Sequence, residues 1–107
     1  MAIHSMKKFK FNSREEFQHF IDTEKEKMYE LIWSCIEESY RKGKNSAHIA
    51  EVYLEEESVY VDIISDVDEW EGSLTLAEKY YAVVEKYENS SKIRDLVKEI
   101  KQNCIKF

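Results

Sequence analysis

The stretch AEVYLEEESVYVDI, residues 50–63, decides the fold. Ala50, Val52 and Leu54 alternate with other residue types, Val59, Val61 and Ile63 do the same, and Glu55-Glu56-Glu57-Ser58 joins the two runs. A period of two belongs to a strand with one buried face, so the segment predicts a β-hairpin. A helix over 47–57 competes with it, because alanine and glutamate are poor strand formers. The β-branched residues after Ser58 favour the hairpin, as does the failure of Tyr60, Val61 and Asp62 to sustain a helical stripe.

Upstream, Phe9 and Phe11 alternate with lysines in Met6–Phe11 and mark a short edge strand. Ser13 followed by Glu16 reads as a capping box, opening a helix whose apolar positions are Phe17, Phe20, Ile21, Met28, Leu31, Ile32, Cys35 and Ile36. A second box, Thr23 with Glu26, places a break near Asp22. Gly43 among Arg41, Lys42 and Lys44 marks the helix end. Downstream, Val67 and Trp70 fit a third hairpin strand or a loop ending at Gly72. Thr75 with Glu78 then opens a helix with the stripe Leu76, Tyr80, Val83, Val84 and Tyr87. Asn89-Ser90-Ser91 interrupts it, and Ile93, Leu96, Val97, Ile100 and Cys104 carry the last helix. The expected architecture is α+β: a single domain over 1–107, with an antiparallel sheet of two to four strands. A long N-terminal helix and a C-terminal helical hairpin pack on that sheet.

Around Tyr87-Glu88-Asn89-Ser90-Ser91-Lys92-Ile93-Arg94-Asp95-Leu96 the chain resembles the tight helical hairpin at the C-terminus of bacterial excision-repair subunits and of some stress regulators. The likeness spans about 30 residues, Leu74 to Asn103, with serines where that motif has alanines. It implies a two-helix hairpin for protein–protein contact, with Arg94 and Asp95 at the corresponding positions.

Charge is the chain's second signal. The net charge is −6, from 22 acidic and 16 basic residues. Ten acidic residues and no basic one fall between Glu51 and Glu78, whereas the flanking segments are mildly basic. Val52, Tyr53, Leu54, Val59, Tyr60, Val61, Ile63, Ile64 and Trp70 interrupt the acidic block. It therefore reads as folded structure with a negative face, not a disordered tail.

Most chemistry is disfavoured by spacing. Asp62, Asp66, Asp68, Glu69 and Glu71 offer oxygen ligands, but a calcium loop started at Asp66 puts Trp70 at position five and Glu71 at the glycine position. His4, His19, His48, Cys35 and Cys104 are scattered singly, with no zinc spacing. Two glycines, Gly43 and Gly72, cannot build a phosphate-cradling loop or a nucleophile elbow. A hydrolase using Asp62, Asp66 and His48 is thus the weakest class, and neither enzymatic activity nor a cofactor or metal is expected. Without a secretory signal or an apolar run of spanning length, and with only two cysteines, read as buried thiols, the expected location is cytoplasmic.

Two binding classes remain. Lys7, Lys8 and Lys10 interleave with Phe9 and Phe11, and with Lys42, Lys44, Lys98, Lys101 and Lys106 could serve a regulatory or accessory subunit acting on nucleic acid. The acidic block opposes a polyanion at long range and suits a basic partner protein better, in the manner of an inhibitor or immunity protein. The candidate partner-binding residues are Glu51, Tyr53, Glu55, Glu56, Glu57, Asp62, Asp66, Asp68, Glu69, Trp70 and Glu71. Trp70 reads either as an anchor for that contact or as a lid over the end of the core. Tyr29 and Trp33, off the main stripe of the first helix, suggest a homodimer face.

Overall fold

The computed structural model describes residues 7–104, apart from the side chain of Cys104. Its elements are β1 (Lys7–Phe11), α1 (Arg14–Thr23), α2 (Lys25–Arg41), β2 (Ser46–Leu54), β3 (Val59–Asp66), α3 (Val67–Val83) and α4 (Tyr87–Cys104). The fold is α+β, and β2 and β3 form the antiparallel hairpin the alternation predicts, with Leu54 opposite Val59. The helix over 47–57 does not form. The sheet order is β1-β2-β3.

The sheet is mixed rather than antiparallel, because β1 runs parallel to β2. Two helices separate these strands, and a helical crossover returns the chain to the end of the sheet where it started. β2 also begins four residues before the alternation suggests. A bulge between His48 and Ala50 shifts its parity, so Ala47 and Ile49 before it and Ala50, Val52 and Leu54 after it all point to the buried face.

Ser13 caps α1 by accepting from the Glu16 amide at 3.2 Å. The Glu16 carboxylate reaches one residue further back than a capping box requires, to the Asn12 amide, also at 3.2 Å. The break between α1 and α2 falls at Glu24. Thr23 does not cap it; its hydroxyl donates back to the His19 carbonyl at 2.8 Å. Phe9 and Phe11 of β1 stack on Phe17 and Phe20 of α1, with ring centroids 5.3–5.4 Å apart across the two elements. α2 buries Leu31, Cys35 and Ile36. Tyr29 and Trp33 face Tyr80 and Tyr81 of α3, at 5.0 and 6.1 Å between centroids. Both are partly buried, packed against the core from its rim.

The segment after β3 departs furthest from expectation. Val67 and Trp70 lie in neither strand nor loop: α3 starts at Val67 and contains Gly72, Thr75 and Glu78. Asp66 and Glu69 occupy the capping-box positions, and the Asp66 amide donates to the Glu69 carboxylate at 3.0 Å. The buried stripe is Trp70, Leu74, Ala77 and Tyr81. Leu76, Val83, Val84 and Tyr87 are exposed, Val83 most of all at 79%. The turn to α4 comes at Val84–Lys86, so Asn89-Ser90-Ser91 lies within α4. The buried Ser90 donates to the Glu78 carbonyl across the hairpin at 3.2 Å, and Arg94 reaches the Glu78 carboxylate at 3.3 Å. α4 buries Ile93, Leu96 and Ile100 in the core shared by α2, β2 and α3.

Both long-helix ends use the same turn. After α2, Gly43 N–H bonds Tyr40 C=O and Lys44 N–H bonds Ser39 C=O; after α3, Glu85 N–H bonds Ala82 C=O and Lys86 N–H bonds Tyr81 C=O. Each turn needs a left-handed residue, supplied by Gly43 at φ +71° and by Glu85 at φ +63°. A side chain in that region is strained. Glu85→Gly should therefore raise the unfolding free energy in urea by about 1 kcal/mol, and Gly43→Ala should lower it by a similar amount. A loss of stability in Glu85→Gly would contradict the strained turn.

Candidate functional site

Register sorts the sheet residues onto two faces. Ala50, Val52 and Leu54 lie opposite Ile63, Val61 and Val59 on the side the helices cover. On the other side, Glu51 lies opposite Asp62, Tyr53 opposite Tyr60 and His48 opposite Ile64. Lys8 and Lys10 of β1 stand beside Glu51 and Tyr53 on that same side. The outer side is open: Tyr60 is 69% exposed and Ile64 53%. The Tyr53 and Tyr60 rings are 4.8 Å apart, and His48 Nε2 lies 3.2 Å from Asp62 Oδ1.

The proposed partner-binding residues thus divide into three groups. Glu51, Tyr53 and Asp62 share the open face. Glu55, Glu56 and Glu57 form the hairpin tip. Asp66, Asp68, Glu69 and Glu71 lie at the start of α3, where carboxylates offset the positive end of the helix dipole. Carboxylate oxygens of Asp66, Asp68 and Glu69 come within 4.8 Å of one another, all exposed, and Glu69 is engaged by the Asp66 amide. Trp70 belongs to none of these groups. It is 1% exposed, with its indole N–H donating to the Ser65 carbonyl at 2.9 Å, so it is the lid over the core and not a surface anchor.

Several acids are matched by the chain's own cations. Arg14 grips Glu57 through two bonds of 2.7 and 3.1 Å, Lys10 lies 3.7 Å from Glu55, and Lys101 lies 3.1 Å from Glu71. The Arg14 hydrogen bonds hold the Glu57 carboxyl below its usual 4.5. The candidate nucleic-acid lysines are spread apart: Lys8 and Lys10 on β1, Lys42 beside Glu38 at the end of α2, and Lys98 and Lys101 on α4. Lys106 lies outside the described residues.

Comparisons with protein-family models, curated proteins and solved structures give no match. The site is thus read from its own chemistry. Among the described residues no helix is long and apolar enough to cross a membrane.

The partner-binding set expected from sequence leaves out Tyr60, Ile64 and His48, which share the open face. The signal lay in the hairpin itself: a four-residue loop between Leu54 and Val59 sets Tyr60 directly across from Tyr53. Elsewhere, a groove of about 390 Å³ runs between β1, α1 and α2 over Phe9, Phe20, Met28 and Leu31, with Lys7 and Lys27 at its rim. Cys35 is buried beneath the sheet with its thiol 3.9 Å from the Ile49 carbonyl, and burial raises its pKa to about 11.

Two measurements check these electrostatics. In an NMR titration the Glu57 carboxyl should protonate below pH 4.5 and return toward that value in Arg14→Gln. Because the folded-state pKa is the lower one, the pair's contribution is full above the ordinary carboxylate range and disappears as pH falls through the folded value. Cys35 should resist alkylation at pH 8 in the native protein and react fully on unfolding, followed by peptide mass mapping. Rapid native labelling at Cys35 would contradict its burial.

Proposed function

We propose that this chain is a non-enzymatic, acidic protein-interaction domain that binds a basic partner protein, as an inhibitor or immunity-type protein does. The observation that carries this reading is the open sheet face, where the Tyr53–Tyr60 pair adjoins the Glu51–Asp62 pair, with Ile64 on the far side of Asp62. Aromatic side chains supply contact area at low entropic cost and dominate many interfaces. Carboxylates beside them steer cations to the face, and tyrosine rings accept an arginine or lysine over their planes. The hairpin tip and the start of α3 extend the negative potential at both ends of the face.

The experiment is capture from the native cell at low and moderate salt, comparing the wild-type chain with Glu51→Lys/Asp62→Lys and with Tyr60→Ala. The expected result is a basic protein retained by the wild type, released at the higher salt, and reduced about tenfold or more by either variant. Each variant is checked by its unfolding curve. Equal capture by all three chains, or capture of nuclease-sensitive material lost with Lys8→Glu/Lys10→Glu, would overturn the reading.

A further inference from the structure

We infer that the outer edge of β3 takes an extended basic segment of the partner as a fourth strand. This rests on reading the chain as an acidic protein-binding domain, and it gives that binding its geometry. β3 closes one side of the sheet, and among the described residues no strand pairs with its outer edge. The direction of its backbone groups follows from the ladder. Glu55 N–H donates to the Phe11 carbonyl at 2.9 Å, so the alternate residues Glu51 and Tyr53 turn their backbone groups toward β1. Ala50, Val52 and Leu54 turn theirs toward β3, where they meet Ile63, Val61 and Val59. Tyr60, Asp62 and Ile64 therefore aim N–H and C=O away from the sheet. The strand is eight residues long and contains no proline or lysine, the usual devices that blunt an edge.

Charge selects the occupant. Asp62 lies at the middle of the strand, Glu55–Glu57 at one end and Asp66, Asp68 and Glu69 at the other, over roughly 25 Å. A second copy aligned antiparallel sets Asp62 against Asp62 and the glutamate tip of each chain against the Asp66 end of the other. A basic segment meets an acid at each of those points. Its side chains would alternate between two rows: Tyr60, Asp62 and Ile64 on the open face, and Val59, Val61 and Ile63 on the helix side. A segment alternating cationic and apolar residues satisfies both.

The probe is an acetylated, amidated octapeptide of alternating valine and lysine, titrated into the intact protein while amide exchange is followed residue by residue. Protection of the Tyr60, Asp62 and Ile64 amides should rise about tenfold or more. A peptide of the same composition with its valines and lysines in two blocks should give no such rise. N-methylating one alternate set of amides in the probe should abolish the protection, and methylating the other set should leave it. Ile64→Pro deletes an outward N–H and no carboxylate, and should weaken binding about tenfold; the methylated peptides decide the matter should that variant unfold. Equal binding of both peptides without protection at the three amides would overturn the strand geometry and leave the acidic-face reading standing. No salt-sensitive binding of either peptide would overturn both. Protected edge amides in the free protein, together with dimeric sedimentation, would assign the edge to a second copy and overturn the inference.

Discussion

The hydrogen bond from the Trp70 indole to the Ser65 carbonyl fixes how the C-terminal half of the chain meets the sheet. It joins the first turn of α3 to the last residues of β3, so the helix cannot rotate about its axis without pulling the indole from the core. With Trp70 inside, Leu74, Ala77 and Tyr81 follow at spacings of four, three and four, and they form the surface on which α4 lays Ile93, Leu96 and Ile100. A buried tryptophan is among the largest single contributions to a core, with truncation costing about 3–5 kcal/mol. All this packing lies on one side of the sheet. The opposite side is left to solvent as a consequence, and the Tyr53–Tyr60 pair is exposed for that reason.

Electrostatics act on this frame in a way the linear charge pattern does not convey. The acidic block from Glu51 to Glu78 draws cations from both chain ends: Lys10 and Arg14 come to Glu55 and Glu57, Lys101 to Glu71 and Arg94 to Glu78. Exposed pairs of this kind add little to stability, typically under about 1 kcal/mol each. Their effect is to redistribute charge. What remains of the block is concentrated on Glu51, Glu56 and Asp62 and on the carboxylates at the start of α3, a narrower strip along β3 than ten acids in 28 residues suggest.

The hairpin, the edge strand and α2 could be read from sequence because each depends on local periodicity and a local turn. The parts that could not are those where two local signals compete or where the partner is distant. α3 is apolar on two sides: Leu76, Tyr80 and Val83, continued in sequence by Val84 and Tyr87 beyond its end, make as regular a stripe as Trp70, Leu74, Ala77 and Tyr81, and periodicity alone cannot say which is buried. Its start has the same ambiguity, since Thr75 with Glu78 fits a capping box as well as Asp66 with Glu69 does. The indole bond to Ser65 resolves both, and it is a tertiary fact. The parallel direction of β1 is likewise set by the two-helix crossover, and the β2 bulge at Ile49 hides two buried positions from a strict alternation. At the candidate site, register predicted Tyr53, Glu51 and Asp62 on one face, whereas the burial of Trp70 depended on α3.

An uncovered sheet face and an unpaired edge are ordinarily hazards, because identical copies can pair along them. Here the hazard is limited by sign, not by shape. β3 has the length and the β-branched residues of a good template, and Tyr60 and Ile64 add exposed apolar area, but the antiparallel self-pairing centred on Asp62 brings carboxylate to carboxylate. The repulsion acts only between like copies. A strand of opposite charge meets the same backbone groups and the same apolar side chains with that obstacle reversed, so in the proposed strand addition the carboxylates that disfavour a second copy are the ones that select a basic segment.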